Sequence, residues 1–335
     1  MNFIYTSNNA VEELRKITKI NHKKKSVIVI AGPTASGKTK LSIEIANLIG
    51  GEIISCDSMQ IYRGANIGTA KPTKLEMGDI KHNLIDLCNI NESFNVVNFY
   101  NEALSSLQKI LDNGSVPILV GGSGFYMHSF LYGPPKGPPS DDKLRKRIEE
   151  DFDKYGHDVL YGKLYELDRD YACSITTQDR HKIIRALEII AISGKKVSEI
   201  PKPSQEDAPN NLNFLCWFLY YPKPILYQKI EQRCDEMIQK GILEEVIKLK
   251  VLGLEENKCA ANSIGYRQCL TYLNSQQSKS DWNCFVTSFK QASRNYAKRQ
   301  FTWFKREKIF RWLDLSQLSK ESVLELIIQD FERAK

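Results

Sequence analysis

The fold is decided by residues 26–39, which have the sequence SVIVIAGPTASGKT. The first six residues are a short β-branched run, which is typical of a buried parallel strand. Gly32 to Thr39 then fit the pattern G-x-x-x-x-G-K-[ST], and a helical pattern follows until a Gly-Gly pair ends it after residue 49. The segment therefore predicts a strand, a phosphate-binding loop and a helix in immediate succession.

This loop predicts a site for a diphosphate group. Backbone N–H groups of such a loop converge on phosphate oxygens, and the N-terminus of the following helix adds positive potential. Lys38 is expected to reach the phosphates, and the Thr39 hydroxyl is expected to help hold Mg²⁺. The motif alone does not identify the ligand as ATP. The residues predicted to bind the group are Gly32, Pro33, Thr34, Ala35, Ser36, Gly37, Lys38 and Thr39.

Strand and helix patterns alternate along the rest of the chain. Further buried strands are predicted at residues 52–56, 116–120 and 212–220, and helices at residues 39–49, 96–112, 225–250 and 282–305. This alternation predicts an α/β fold with a P-loop NTPase-like parallel sheet at its core.

A proline-rich segment divides the chain. Residues 133–140 have the sequence GPPKGPPS, and four prolines in eight residues exclude a helix or an inner strand. The residues that follow, up to about 193, are charged and helical in pattern. We therefore expect a catalytic core made of residues 26–137 and 200–320, which includes the C-terminal helices. A helical insertion domain is expected at 138–199, and a polar N-terminal extension at 1–25.

Composition excludes several classes of protein. The 335 residues are 42% hydrophobic and 26% charged, which is ordinary for globular domains and excludes collagen-like or wholly disordered chains. The net charge of +7 fits a polyanionic partner without requiring one. The eight cysteines show no zinc-type spacing, and no segment has the length of apolar sequence that a membrane span needs. These features predict a cytoplasmic protein with reduced thiols and no membrane association.

Asp57 is the carboxylate best placed to enter the site. Phosphoryl transfer needs a metal-binding acid after a later strand, but the predicted strand at 116–120 ends in Gly-Gly-Ser-Gly. Asp57 directly follows the predicted strand at 52–56, and ligands of open α/β sheets bind at the carboxyl ends of strands. The alternative is that Asp57 is a turn or capping residue, and the sequence leaves both interpretations open.

An ordered set of motifs runs through the chain. The motifs are DSMQIYRG at 57–64, IGTAKP at 67–72, HNLID at 82–86, GGSGFY at 121–126, RALE at 185–188, IGYRQ at 264–268 and YAKRQFTWF at 296–304. From residue 27 to residue 310 the chain resembles the tRNA dimethylallyltransferase family. No cysteine follows Cys284, where eukaryotic members have a zinc finger, so the chain resembles the shorter bacterial members.

The resemblance implies a reaction. Family members transfer a dimethylallyl group from dimethylallyl diphosphate to N6 of adenosine 37, next to the tRNA anticodon, and their loop holds the diphosphate of the prenyl donor instead of ATP. Asp57 is then expected to be the general base, and Arg233 the second clamp on the diphosphate, since Lys229 stands where the family often has arginine. Mg²⁺ on Thr39 would oppose the charge of the leaving group. A surface position for Arg233 is the alternative.

The resemblance also implies contacts with the anticodon stem-loop of tRNA by a protein that we expect to be a monomer. Tyr266 could instead pack in the core, Arg185 could instead pair with Glu188, and Ser123 could instead satisfy its own loop. The residues expected to contact tRNA are Asp57, Ser58, Met59, Gln60, Ser123, Arg145, His181, Lys182, Ile183, Ile184, Arg185, Asn262, Ser263, Ile264, Gly265, Tyr266 and Arg267.

Three other functions are compatible with parts of the sequence. An adenylate isopentenyltransferase, acting on free AMP, ADP or ATP, would use the same donor loop. A small-molecule kinase and a non-catalytic RNA-binding protein are the other two. The long basic helical segments and the YAKRQ stretch favour an acceptor as large as RNA, because a free nucleotide needs far less surface.

Overall fold

Seven parallel strands form a single sheet in the order β1-β7-β6-β2-β5-β3-β4. The structure, a computed structural model, describes residues 4–5, 25–204, 209 and 212–334. The predicted α/β fold class is confirmed. The strands are β1 (Ile4–Tyr5), β2 (Lys25–Ala31), β3 (Gly51–Cys56), β4 (His82–Asn83), β5 (Val116–Gly121), β6 (Leu212–Tyr220) and β7 (Arg311–Asp314).

Helices follow most of the strands. The helices of the described chain are α1 (Lys38–Ile49), α2 (Lys74–Met77), α3 (Val96–Asp112), α4 (Gly124–Tyr132), α5 (Asp142–Leu167), α6 (Arg169–Cys173), α7 (Arg180–Ser193), α8 (Lys223–Gln239), α9 (Ile242–Val251), α10 (Lys258–Ala261), α11 (Tyr266–Leu273), α12 (Lys279–Phe304) and α13 (Lys320–Arg333). None of these has the length and apolarity that a membrane crossing requires.

The register of the central strands places three loops at one edge of the sheet. Ala31, the last residue of β2, pairs with Gly121, the last residue of β5, and Gly121 also pairs with Cys56 at the end of β3. The phosphate loop, the segment that begins at Asp57 and the GGSG segment therefore leave the sheet side by side. This is the edge at which open parallel sheets bind ligands.

Two helices cover one face of the sheet. Leu41 and Ile45 of α1, with Val323 and Ile327 of α13, share a buried apolar cluster with strand residues such as Ile28. A second buried cluster joins α8, α9, α11 and α12 through residues such as Ile230, Val246, Tyr266 and Phe289. Burial of these apolar side chains supplies the main favourable free energy of folding and fixes the helices that carry site residues.

By its internal contacts the chain divides into two compact units, Met1–Leu131 with Ala208–Lys335, and Tyr132–Asp207. The insertion predicted at 138–199 lies inside the second unit. That unit has its own buried core, formed by residues such as Phe152, Leu164, Ile183 and Leu187. Helix α5 is interrupted at Gly156, whose φ of 84° is outside the helical region.

Several predicted elements differ from the structure. The single helix predicted at 225–250 is two helices, α8 and α9, because Gly241 adopts a left-handed φ of 90° between them. The sequence analysis did not predict β1, β4, β7 or α13. Ile4–Tyr5 pairs with Trp312–Leu313, so the predicted N-terminal extension contributes an edge strand. Residues 1–3 and 6–24 of that extension, and part of the predicted loop at 201–211, lie outside the described residues.

Candidate active site

A cavity of about 350 Å³ opens at the carboxyl edge of the sheet, within the first unit. Its lining combines the phosphate loop, the segment after β3 and side chains from the second buried cluster. The sequence-predicted residues that line it are Thr34, Lys38, Thr39, Asp57, Ser58, Met59, Gln60, Arg233, Asn262, Ser263 and Ile264.

The conformation of the phosphate loop requires glycine at two positions. Gly37 has a φ of 83°, and a Cβ at Gly32 would lie 2.3 Å from the carbonyl oxygen of Leu219 at the end of β6. Ala35 also has a positive φ, of 62°, which is strained for a residue with a side chain and is found most often at functional loops. The loop therefore packs directly against the neighbouring strand.

Two cations meet at this loop. Lys38 Nζ donates to the carbonyl of Pro33 at 2.7 Å, and Arg233 donates to the Thr34 hydroxyl at 3.2 Å. Burial, and secondarily the positive charge of Arg233, lower the pKa of Lys38 to about 7, while Asp57 opposes the shift. Burial also lowers the pKa of Arg233. Arg233 is half-buried and lines the cavity, whereas Lys229 lies over the Tyr221 ring at 4.7 Å and is not part of the lining.

Asp57 combines the two roles that the sequence left open. Its Oδ1 accepts the backbone N–H groups of Met59 at 2.8 Å and Gln60 at 3.3 Å, so it stabilises the turn that follows β3. The same side chain lines the cavity. Ser123 accepts the N–H of Ser58 at 3.2 Å, which ties this turn to the GGSG segment, and Ser123 is not itself part of the cavity lining.

Gln300 connects the phosphate loop to the end of β5. Its Oε1 accepts the N–H of Thr34 at 2.9 Å, and its Nε2 donates to the carbonyl of Gly122 at 2.9 Å. A Cβ at Gly122 would lie 2.3 Å from Nε2, so a larger residue there would displace the Gln300 side chain. Gln300 and Tyr296 both line the cavity and are four residues apart on α12, a spacing that places them on one helix face.

His82 also lines the cavity. Its Nδ1 donates to the carbonyl of Ile80 at 2.9 Å, and its Nε2 is buried with no hydrogen-bond partner among the described residues. Burial lowers the pKa of His82, which favours the neutral ring. The sequence analysis did not single out His82, although it lies in the HNLID motif. Tyr296 and Gln300 belong to the YAKRQ stretch, which the sequence analysis associated with an acceptor as large as RNA.

Three residues predicted to contact tRNA have buried side chains. Ile183 and Ile184 belong to the core of the second unit. Tyr266 is 1% exposed, and its hydroxyl donates to Glu245 at 2.8 Å. Direct side-chain contact with tRNA is therefore wrong for these three, and core packing, the alternative weighed for Tyr266, is confirmed.

Arg185 is held by residues of its own unit. It donates to Glu188 at 2.7 Å and to the carbonyl of Pro138 at 2.5 Å, and Arg145 also contacts Glu188, at 3.4 Å. Glu188 is fully buried, so this network has a structural role, as the alternative for Arg185 proposed. His181 and Lys182 are exposed on the same helix.

The remaining predicted residues lie around the start of α11. Asn262 and Arg267 are exposed, and Ser263 and Ile264 are half-buried. Gly265 is buried, has a φ of 92° and donates its N–H to Gln268 at 2.9 Å. Of residues 262–267, only the first three line the cavity.

Comparison with known proteins identifies the family. The family model described as IPP transferase matches residues 60–307. A tRNA dimethylallyltransferase of Protochlamydia amoebophila (strain UWE25) is 51% identical over 309 residues, which cover 92% of this chain and 90% of the relative. The chain belongs to the IPP transferase family. A tRNA dimethylallyltransferase of Chlamydia pneumoniae is 43% identical over 315 residues, with the same coverage of both chains.

Solved structures of the family share the fold. A tRNA isopentenylpyrophosphate transferase from Staphylococcus epidermidis is 35% identical, with a TM-score of 0.67, over 92% of this chain and all of that one. A eukaryotic dimethylallyltransferase acting on tRNA is 28% identical, with a TM-score of 0.75, over 93% of this chain and 80% of that one. The predicted family resemblance is confirmed.

Proposed function

We propose that this chain is a tRNA dimethylallyltransferase, which transfers a dimethylallyl group from dimethylallyl diphosphate to N6 of adenosine 37 in tRNA and releases diphosphate. The observation that carries the proposal is one cavity lined by three cationic side chains, Lys38, Arg233 and Arg299, by the carboxylate of Asp57 and by apolar side chains. Relatives at 51% and 43% identity have this enzyme name.

We propose that the diphosphate of the donor binds at the phosphate loop. Lys38 and Arg233 are desolvated and repel one another, and a bound dianion would offset both charges. The guanidinium can also bind two phosphate oxygens at once. These cations are fixed before the reaction, so they stabilise the charge that develops on diphosphate as the bond to the prenyl carbon breaks.

In this proposal the prenyl group binds against the apolar part of the cavity lining. Phe94, Ile230, Met237 and Phe289 all line the cavity. Such a surface suits a branched hydrocarbon and lowers the local water concentration, which protects the reactive carbon from hydrolysis. These side chains carry no charge that could bind a phosphate group beyond the diphosphate.

Asp57 is the proposed base. The N6 nitrogen forms a bond to C1 of the donor as the C1–O bond breaks, the electron pair leaves with diphosphate, and Asp57 accepts the N6 proton. The contacts of Oδ1 with Met59 and Gln60 hold the carboxylate in place. We assign the proton transfer to the second oxygen, Oδ2.

Mg²⁺ is proposed as the cofactor. Thr39 and Asp57 present oxygen atoms to the same cavity, and oxygen is the ligand type that Mg²⁺ takes in phosphate sites, where substrate phosphates complete its coordination. Thr39 would hold the ion, which supplies further neutralisation of the diphosphate charge when bound.

The acceptor is proposed to be the anticodon stem-loop of tRNA, bound by a monomeric cytoplasmic protein. Ser58, Met59 and Gln60 of the cavity lining are candidates for contacts with the adenine edge. Exposed polar side chains such as Asn262 and Arg267, with Lys182 of the second unit, are candidates for phosphate contacts, which orient an RNA without reading its sequence.

The test is nucleoside mass spectrometry after incubation with dimethylallyl diphosphate and Mg²⁺. We expect one adenosine of an unmodified tRNA to gain one dimethylallyl unit, and we expect no gain when guanosine replaces adenosine 37. Free AMP is offered in a parallel reaction. Prenylated AMP with unmodified tRNA would contradict the proposal in favour of an adenylate isopentenyltransferase.

A further inference from the structure

Glu245 is a buried carboxylate outside the cavity lining. It lies on α9, is 8% exposed, and accepts four hydrogen bonds. Oε2 accepts the N–H groups of Asn66 at 2.9 Å and Ile67 at 2.6 Å, and Oε1 accepts the N–H of Gly68 at 2.9 Å and the Tyr266 hydroxyl at 2.8 Å. A buried carboxylate is costly unless its oxygens are paired in this way, so the arrangement commits three consecutive amides to one side chain.

Tyr266 holds the same segment from a second side. Its ring lies against Gly68, where a Cβ would come within 2.3 Å of the ring carbon Cε1. The backbone at Gly68 can therefore approach only because the residue is glycine. The IGTAKP and IGYRQ motifs therefore meet in two ways. The Tyr266 ring contacts Gly68 directly, and Glu245, which belongs to neither motif, accepts hydrogen bonds from both residues.

The segment held by this pair forms one wall of the cavity. Gly68, Thr69 and Ala70 line it. The carbonyl of Thr69 accepts the side-chain amide of Gln60 at 3.3 Å, and the N–H of Gln60 is bound by Asp57. Through these hydrogen bonds and the backbone between them, Glu245 is connected to the turn that carries the proposed base. None of the hydrogen bonds involves Lys38 or another residue of the phosphate loop.

We propose that Glu245 and Tyr266 are positioning residues for the acceptor: they fix residues 66–70 so that the tRNA adenosine is held in line with the donor. This inference rests on the proposed function. Because none of these hydrogen bonds involves the phosphate loop, the pair affects the use of tRNA and leaves the binding of dimethylallyl diphosphate unchanged.

The test compares Glu245→Gln with Glu244→Gln. Glu244 is the exposed neighbour on the same helix, so its substitution makes the same change of charge. In Glu245→Gln an NH₂ group replaces one of the two oxygens and faces the two groups that donate to that oxygen in the wild type. We expect kcat/KM for tRNA to fall by about ten- to a hundredfold, as misalignment of reacting groups predicts, with an unchanged KM for the donor. Glu244→Gln should behave like the wild type.

Tyr266→Phe removes a single hydrogen bond and keeps the ring. We expect roughly a two- to tenfold loss of kcat/KM for tRNA, again with an unchanged KM for the donor. Amide hydrogen exchange at residues 66–68 should be slow in the wild type and faster in Glu245→Gln. If Glu245→Gln does not fold, the kinetic split in Tyr266→Phe alone decides the matter.

Equal losses for both substrates, in proportion to the folded fraction, would overturn the inference by reducing the pair to a structural role. The inference would also be overturned if Glu245→Gln and Tyr266→Phe had the same kcat/KM for tRNA as Glu244→Gln. Both results require a wild type that prenylates tRNA. A wild type without that activity contradicts the proposed function instead, so the two failures are distinguishable.

Discussion

At the level of single residues, the charge of Lys38 is coupled to anion binding. Burial and Arg233 lower its pKa to about 7, so the free protein carries a protonated Lys38 below that pH and a neutral one above it. A bound diphosphate favours the charged form, so binding above pH 7 must take up a proton.

We therefore expect the Kd of dimethylallyl diphosphate to rise as the pH increases above about 7, by up to about tenfold for each pH unit. Calorimetric titration in two buffers of different ionisation enthalpy measures both Kd and proton uptake. Lys38→Arg is the control, because arginine stays charged and should flatten the profile. A wild-type Kd that is independent of pH, without proton uptake, would show that Lys38 does not contact the diphosphate.

At the level of elements, the site depends on how closely β3 and β5 approach. A Cβ at Gly121 would lie 1.9 Å from the carbonyl oxygen of Cys56, which directly precedes Asp57. We expect Gly121→Ala to force the strand ends apart and to lower the free energy of unfolding by about 3 kcal/mol or more, the upper part of the range for overpacking.

Urea denaturation measures this loss, with Gly162→Ala as the control. Gly162 lies in helix α5 with nothing near its Cβ position, so alanine there should leave stability unchanged or raise it by up to about 1 kcal/mol. Equal stabilities of Gly121→Ala and the wild type would mean that the strand ends tolerate separation.

At the level of the whole molecule, the sequence predicted the elements whose signal is local. The buried strands β2, β3, β5 and β6 are rich in apolar residues, and their predicted bounds agree with the structure to within one residue at each end. Strand β7 has charged residues at both ends and no such run. Arg311 is accommodated because its guanidinium lies 3.8 Å from the Trp217 ring centroid and pairs with Asp330, contacts that no local pattern contains.

The candidate site was also predictable only where its signal lies in the local sequence. Lys38, Asp57 and Arg233 line one cavity, as the phosphate loop and the motifs led us to expect. Glu245 escaped prediction because an isolated polar residue on a helix resembles a solvent-exposed one until its tertiary partners are known. Ile183, Ile184 and Tyr266 show the opposite error, since membership of a motif does not distinguish a binding residue from a core residue.

The most direct test of the central claim is single-turnover transfer of dimethylallyl to an unmodified anticodon stem-loop by the wild type and by Asp57→Asn. Asparagine keeps an oxygen for the N–H groups of Met59 and Gln60 but cannot accept the proton. The account predicts that the transfer rate falls by about a hundred- to ten-thousandfold, while the Kd of the donor changes little. Transfer by Asp57→Asn at the wild-type rate would contradict it.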